Sequence, residues 1–199
     1  MATAIEVERQ RVEHQRLRKQ VLVDELTGLG NRRAYTAHLE ELRRSALGAA
    51  SGALAGEPGD PEVLVMMLDV DHFKAVNDEY GHDVGDEVLR RIGALLLAQV
   101  RSSDLAARLG GDEFVVILTQ HDEGPGDSRA EAIVASVSEY AWDEVAPGLK
   151  VTVSLGLHHG PAGDLALLLG EADRQLYVAK RGGRGRVAGS RNELLQPGS

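Results

Sequence analysis

Two short stretches set carboxylates at the mouths of apolar runs. "EVLVMMLDVD", residues 62–71, is a continuous apolar run ending in Asp69 and Asp71, and "RLGGDEF", residues 108–114, puts Asp112 and Glu113 directly after Gly110 and Gly111. If the two runs are neighbouring strands, Asp69 and Asp112 converge at one edge of a sheet. Paired negative charges withdrawn from water are costly without a positive partner, so the pattern makes sense with a divalent cation between them. Mg²⁺ is the natural candidate because it takes oxygen ligands, keeps several waters and is commonly completed by substrate phosphates. The Val70 carbonyl could supply a further ligand. Taken singly, each acid is as well explained as a solvated strand-end or turn residue. The glycines allow close approach of a ligand, but by themselves they indicate only a hairpin.

Basic and amide side chains accompany these acids. Lys74 follows Asp69 by five positions, and Lys180 and Arg184 flank the end of a helical stretch in "AKRGGR". Basic residues at a helix C-terminus are ordinarily partners of the helix dipole; a nucleoside triphosphate would give them another purpose. Asn77 and Asp86 suit a guanine base, since a carboxylate accepting from N1 and N2 with an amide beside it distinguishes guanine from adenine. Without a nucleotide, Asp86 is an acid near a helix N-terminus, worth about 0.3–1 kcal/mol from the dipole.

Composition narrows the chemistry. The chain has 199 residues, 43% hydrophobic and 27% charged, as expected of one globular domain with an appended helix. There is no cysteine, so any metal must use carboxylate, carbonyl, imidazole or water. A net charge of -9 argues against a broad nucleic-acid-binding surface. Neither a signal peptide nor a transmembrane run is legible, which predicts a soluble, cytoplasmic protein.

The elements that must position these residues follow from periodicity. Residues 1–23 lack Gly and Pro and read as a preceding helix with a thin apolar seam, either solvated or weakly dimerising. Asn31 can cap a helix running to about Ser45, and "LGAASGALAGEPGDP", residues 47–61, reads as a mobile loop. After the strand 62–71 comes the helical "HFKAVNDEYGH". A helix with Asp86 and Glu87 in its first turn follows, then the hairpin "LAARLGGDEFVVILT". A helix over 128–142, a strand over 150–159 and a helix capped by Asp164 and ended by Gly182 and Gly183 complete the order. That order predicts an α/β (α+β) sandwich of ferredoxin-like type, with a mainly antiparallel sheet and helices covering a face. The expected domain spans residues 24–188, with 189–199 a flexible tail.

Four separated motifs, "DELTGLGNRR", "LDVDHFKAVNDEYGHDVGDEVL", "RLGGDEF" and "YVAKRGGR", occur in the order of one family. Over roughly residues 22–187 the chain resembles the GGDEF diguanylate cyclases, which condense two GTP into cyclic di-GMP and pyrophosphate. The resemblance implies a palm-type nucleotidyl cyclase fold. It implies Asp69, Asp112 and the Val70 carbonyl as ligands of Mg²⁺, with Mn²⁺ as the alternative, and Glu113 as a further ligand or a structural acid. Asn77 and Asp86 would read guanine; Gly110, Gly111, His72 and Phe73 would lie along the substrate. Lys74, Lys180 and Arg184 would neutralise phosphate charge, Lys74 in the transition state, and Asp112 would help remove the 3′-hydroxyl proton. One domain binds one GTP, so the chemistry implies a homodimer.

The resemblance also implies an inhibitory site for the product at "RSSD", with Arg101 and Asp104 as its residues and Arg129 as a possible contributor. Outside the family, such a pair would be a surface ion pair. Gly30 stands where the family usually has proline, and Gly185 where asparagine is common; neither removes a catalytic group. A domain that binds GTP or cyclic di-GMP without turnover, and a purely structural dimerisation domain, are the competing readings. A sensory domain or regulatory partner is expected upstream.

Overall fold

The run "EVLVMMLDV" is apolar without alternation because it is buried on both faces. In the computed structural model, which describes residues 22–52, 62–119 and 126–191, this run is β1 (Glu62–Val70), the central strand of five. The others are β2 (Leu105–Gly110), β3 (Glu113–Thr119), β4 (Val153–Pro161) and β5 (Val187–Arg191), in the order β2-β3-β1-β4-β5. β1 is antiparallel to both neighbours; only β4 and β5 run parallel. The architecture is the expected α+β palm-like fold.

The helices lie on both faces rather than on one. Leu64, Met66, Leu68 and Val70 pack with Val76 of α2 (Phe73–Tyr80), with Val88, Leu89, Ile92 and Leu96 of α3 (His82–Leu97), and with Ala130 and Ile133 of α4 (Gly126–Ser138). Val63 and Val65 face the other way, onto Leu42 and Ala46 of α1 (Arg32–Gly52) and Leu165, Leu168 and Ala172 of α5 (Leu165–Arg181). The period of two along β1 therefore assigns Asp69 to the α5 face. α5 lies directly on β4: a Cβ at Gly156 would stand 2.0 Å from the Leu176 nitrogen, so only glycine fits.

Several boundaries differ from those expected. α1 continues to Gly52, so the start of the supposed 47–61 loop is helical; the alanines there favour helix, and Gly48 does not stop it. α3 begins at His82, which makes Asp83 its first-turn acid and moves Asp86 and Glu87 into the second turn. Glu87 instead pairs with Arg90 at 2.9 Å and Arg91 at 2.7 Å. Asp164 occupies the N-cap position of α5 but makes no capping hydrogen bond. β5 was not expected, and it crosses the boundary placed at 188: residues 189–191 pair with β4. The amino-terminal helix through residue 21, the loop over 53–61 and the tail from 192 lie outside the described residues. Among the described residues, no helix is long and apolar enough to cross a membrane.

Candidate active site

The antiparallel register brings the two acidic stretches together. Asp69 stands opposite Glu113, and the Val70 amide donates to the Asp112 carbonyl at 3.2 Å. Gly110 (φ 148°) and Gly111 (φ 54°) make the turn between β2 and β3, with nothing within 4 Å of a Cβ placed on either. Positive φ requires glycine there, and the open space leaves the backbone approachable. On the α5 face, Lys180 Nζ lies 2.8 Å from Asp69 Oδ2. The Asp69 carboxyl is nevertheless pushed up. Burial is the chief cause, Lys180 opposes it, and the negative charges of Asp112 and Glu113 add to it. One ammonium is outweighed by burial and two neighbouring carboxylates.

That imbalance, with oxygen as the donor on every group, suits a hard cation. Among the described residues no group of three or more His, Cys, Asp or Glu forms a ready metal cage. Asp69, Asp112 and the Val70 carbonyl are the oxygen donors at this edge that could hold such an ion.

The turn is braced from the amino-terminal segment. Arg108 Nε donates to the Gly111 carbonyl at 2.9 Å, and its Nη1 reaches Asp24 Oδ1 at 3.3 Å. Asp24 also accepts from the Thr27 amide (2.9 Å) and hydroxyl (2.7 Å). Burial works to raise the Asp24 carboxyl, but the Thr27 hydrogen bonds and the Arg108 charge together hold it below the usual carboxylate range. Backbone bonds from Gly30 to the Ala106 carbonyl (3.0 Å) and from Arg108 to the Gly30 carbonyl (2.8 Å) seal the outer edge of β2. A proline at position 30 could not make the first of these. "DELTGLGN" is therefore the strap of the hairpin, a role its distance in sequence from "RLGGDEF" concealed.

Asn77 is half-buried on α2 and faces Gly85 of α3, where a Cβ would lie 1.9 Å from Asn77 Oδ1 and 3.3 Å from the Phe73 ring. Gly85 thus sets the seat of Asn77, and the partly buried Phe73 ring packs against the core cluster. Asp86, next to Gly85, is exposed. His72 is exposed, with φ 56°, at the start of α2. Lys74 is not brought to the carboxylates: its Nζ stands 3.9 Å from Asp78, with both side chains largely in solvent. Arg184 (φ 61°) is exposed just past α5, its amide donating to the Ala179 carbonyl at 3.1 Å.

At "RSSD", Asp104 is engaged within the fold. Its Oδ2 accepts from the Arg101 amide (2.9 Å) and its Oδ1 from the Thr119 amide (3.1 Å), joining the turn after α3 to the end of β3. The Arg101 side chain is exposed, and Arg129 is half-buried on α4.

Known proteins share this arrangement. The sequence profile of the family described as "Diguanylate cyclase, GGDEF domain" matches residues 21–186. The response regulator PleD of Caulobacter vibrioides is 41% identical over 174 residues, covering 84% of this chain and 36% of PleD. The diguanylate cyclase VdcA of Vibrio cholerae is 35% identical over 190 residues, covering 94% of this chain and 52% of VdcA. The chain thus spans about a third to a half of these relatives. The coiled coil and GGDEF domain of DgcB from Caulobacter crescentus, solved with c-di-GMP, superposes with a TM-score of 0.76 at 30% identity, covering 94% of each chain. SiaD of Pseudomonas aeruginosa, solved with its activator SiaC, gives 0.72 at 35% identity, covering 92% of this chain and 67% of that one. A glycine turn that sets acids against the end of a central strand, in a sheet of this order and with these relatives, has one reading: the chain belongs to the GGDEF family of diguanylate cyclases.

Proposed function

We propose that this domain condenses two GTP into cyclic di-GMP and two pyrophosphates, as a metal-dependent homodimer. The observation that carries the reading is the meeting of Asp69, Asp112 and Glu113 at the open glycine turn, with Lys180 at 2.8 Å from Asp69. Asp69, Asp112 and the Val70 carbonyl would hold Mg²⁺, or Mn²⁺ in its place. Such an ion supplies Lewis-acid polarisation of the α-phosphate and lowers the pKa of the 3′-hydroxyl.

The remaining work falls to the chain. Asn77, seated by Gly85, and Asp86 would hold the guanine edge. Arg184 would neutralise the triphosphate, joined by Lys74 from its exposed place on α2. Lys180, which pairs with Asp69 here, can turn to the phosphates once Asp69 has another positive partner. In each half-reaction the 3′-oxygen of one GTP bonds to the α-phosphorus of the other and the bond to the pyrophosphate oxygen breaks. The hydroxyl proton passes to a carboxylate such as Asp112 or to water. Catalysis of such a transfer is mostly positioning and charge stabilisation. Two domains must face each other, since each carries one nucleotide.

Product inhibition at the "RSSD" turn is part of the proposal. Arg101 would contact the ligand, while Asp104, already holding two backbone amides, would chiefly shape the turn. DgcB binds c-di-GMP and SiaD has a protein activator; by analogy this domain would bind its product and answer to an upstream domain or partner. A domain consuming GTP belongs in the cytoplasm. Incubation with GTP and Mg²⁺ followed by chromatography tests the reading: a product-free, dimer-competent sample should yield cyclic di-GMP, and absence of product rejects it.

A further inference from the structure

Asp71 is buried, 5% exposed, yet carries a carboxylate. Its Oδ1 accepts from the Ser154 hydroxyl at 2.7 Å, and its Oδ2 accepts from both the Thr152 hydroxyl at 2.7 Å and the Gly185 amide at 2.9 Å. Its own amide donates to the Thr152 carbonyl at 2.9 Å. Three donors from two separate segments thus meet one side chain. A buried carboxylate is costly, and it is tolerated where such donors satisfy it. Filling space would need only an apolar residue; gathering three donors from β4, from Thr152 just before it and from the loop after α5 needs an acceptor with two oxygens.

The loop it gathers has reason to need holding. Arg184 (φ 61°) and Gly185 (φ 57°) are consecutive left-handed residues, a conformation an arginine adopts only under constraint. Arg184 is fixed on one side by its amide bond to the Ala179 carbonyl at 3.1 Å and on the other by the bond from Gly185 to Asp71. Asp71 follows Val70, the expected carbonyl ligand, and lies two residues past Asp69, which meets Lys180 of the same helix end. The carboxyl end of β1 therefore touches the end of α5 and its following loop at two points, through Asp69 and Asp71.

We propose that Asp71 is a positioning residue for the triphosphate: through Gly185 it holds Arg184 at the metal edge of the sheet. This rests on the GTP reading above. Replacing Asp71 by Ala frees the loop while leaving the Arg184 charge in place.

The test is a double-mutant cycle with calorimetric binding of α,β-methylene-GTP and, separately, of guanosine, in the presence of Mg²⁺. D71A is expected to weaken the triphosphate analogue on the order of tenfold or more, as loss of a charge-assisted hydrogen bond does, and to leave guanosine binding unchanged. On an R184A background, D71A should add nothing further. Additive losses, or an equal loss for guanosine, would overturn the positioning role. If D71A does not fold, D71N and T152V serve in its place. An Asn side chain can still accept from Gly185 and donate to the Ser154 hydroxyl, so D71N should restore most of the affinity. T152V should show a smaller loss, again non-additive with R184A, and additivity there overturns the role equally. A wild-type domain that neither binds the analogue nor cyclises GTP would reject the cyclase reading itself. An active wild type with D71A unimpaired would reject only the role of Asp71.

Discussion

Asp24 and Asp69 are both partly buried aspartates with a basic partner, and their carboxyls are displaced in opposite directions. Asp24, in the strap, accepts from the Thr27 amide, the Thr27 hydroxyl and Arg108, and these outweigh its burial. Asp69, at the site, has Lys180 at 2.8 Å, but burial and the neighbouring Asp112 and Glu113 prevail. The strap carboxylate has its charge answered within the fold; the site carboxylate is left short. A charge left unbalanced within the fold is what the proposed metal and triphosphate site would require.

The strongest test of that contrast is Asp69→Asn. Turnover should fall by at least roughly 10²–10³-fold, as removal of a key electrostatic partner does. Urea unfolding in the absence of divalent ions should show the variant no less stable than wild type, because a poorly compensated charge has gone. A variant that stayed active, or was markedly destabilised, would break the contrast.

Arg108→Ala attacks the strap. Loss of its charged hydrogen bonds to Asp24 and the Gly111 carbonyl should cost about 1.5–3 kcal/mol of unfolding free energy, read by urea denaturation. An unchanged midpoint would show that the strap carries no stability.

Gly85→Ala should raise the KM for GTP about tenfold, near 1.4 kcal/mol, because the new methyl displaces Asn77. Steady-state kinetics on GTP decides it, and an unaltered KM would remove Asn77 from guanine recognition.

The smallest effect concerns pH. Since the folded Asp24 carboxyl lies below its unfolded value, its contribution is present above the ordinary carboxyl range and is lost as pH falls through the folded value. The stability gap between wild type and Arg108→Ala should therefore narrow below about pH 4. A gap that widened in acid would reverse the assignment for Asp24.

Local patterns made much of the site legible. The apolar run before Asp69 and the glycine pair before Asp112 announce a strand end and a turn, because both depend on residues adjacent in the chain. Asp71 was visible only as a second acid; its three donors come from positions 152, 154 and 185, which no local pattern joins to it. The local pattern marks Asp104 only as part of "RSSD", while its two backbone amide donors include one fifteen residues away. Nothing in the neighbouring sequence marks the glycines at 85 and 156 as required. Their reason, a crossing helix or side chain, lies across the fold.

By itself the sequence determined the fold class, the presence of two acids at the ends of strand-like runs and the absence of thiolate chemistry, since periodicity, composition and turn residues act over a few positions. Tertiary structure alone decided that helices cover both faces, that a fifth strand closes the sheet, that Lys180 rather than Lys74 meets Asp69, and that Asp24 and Asp71 are spent on holding the turn and the basic loop. Those outcomes depend on which distant donors burial forces against each carboxylate, and a linear pattern carries no record of that competition.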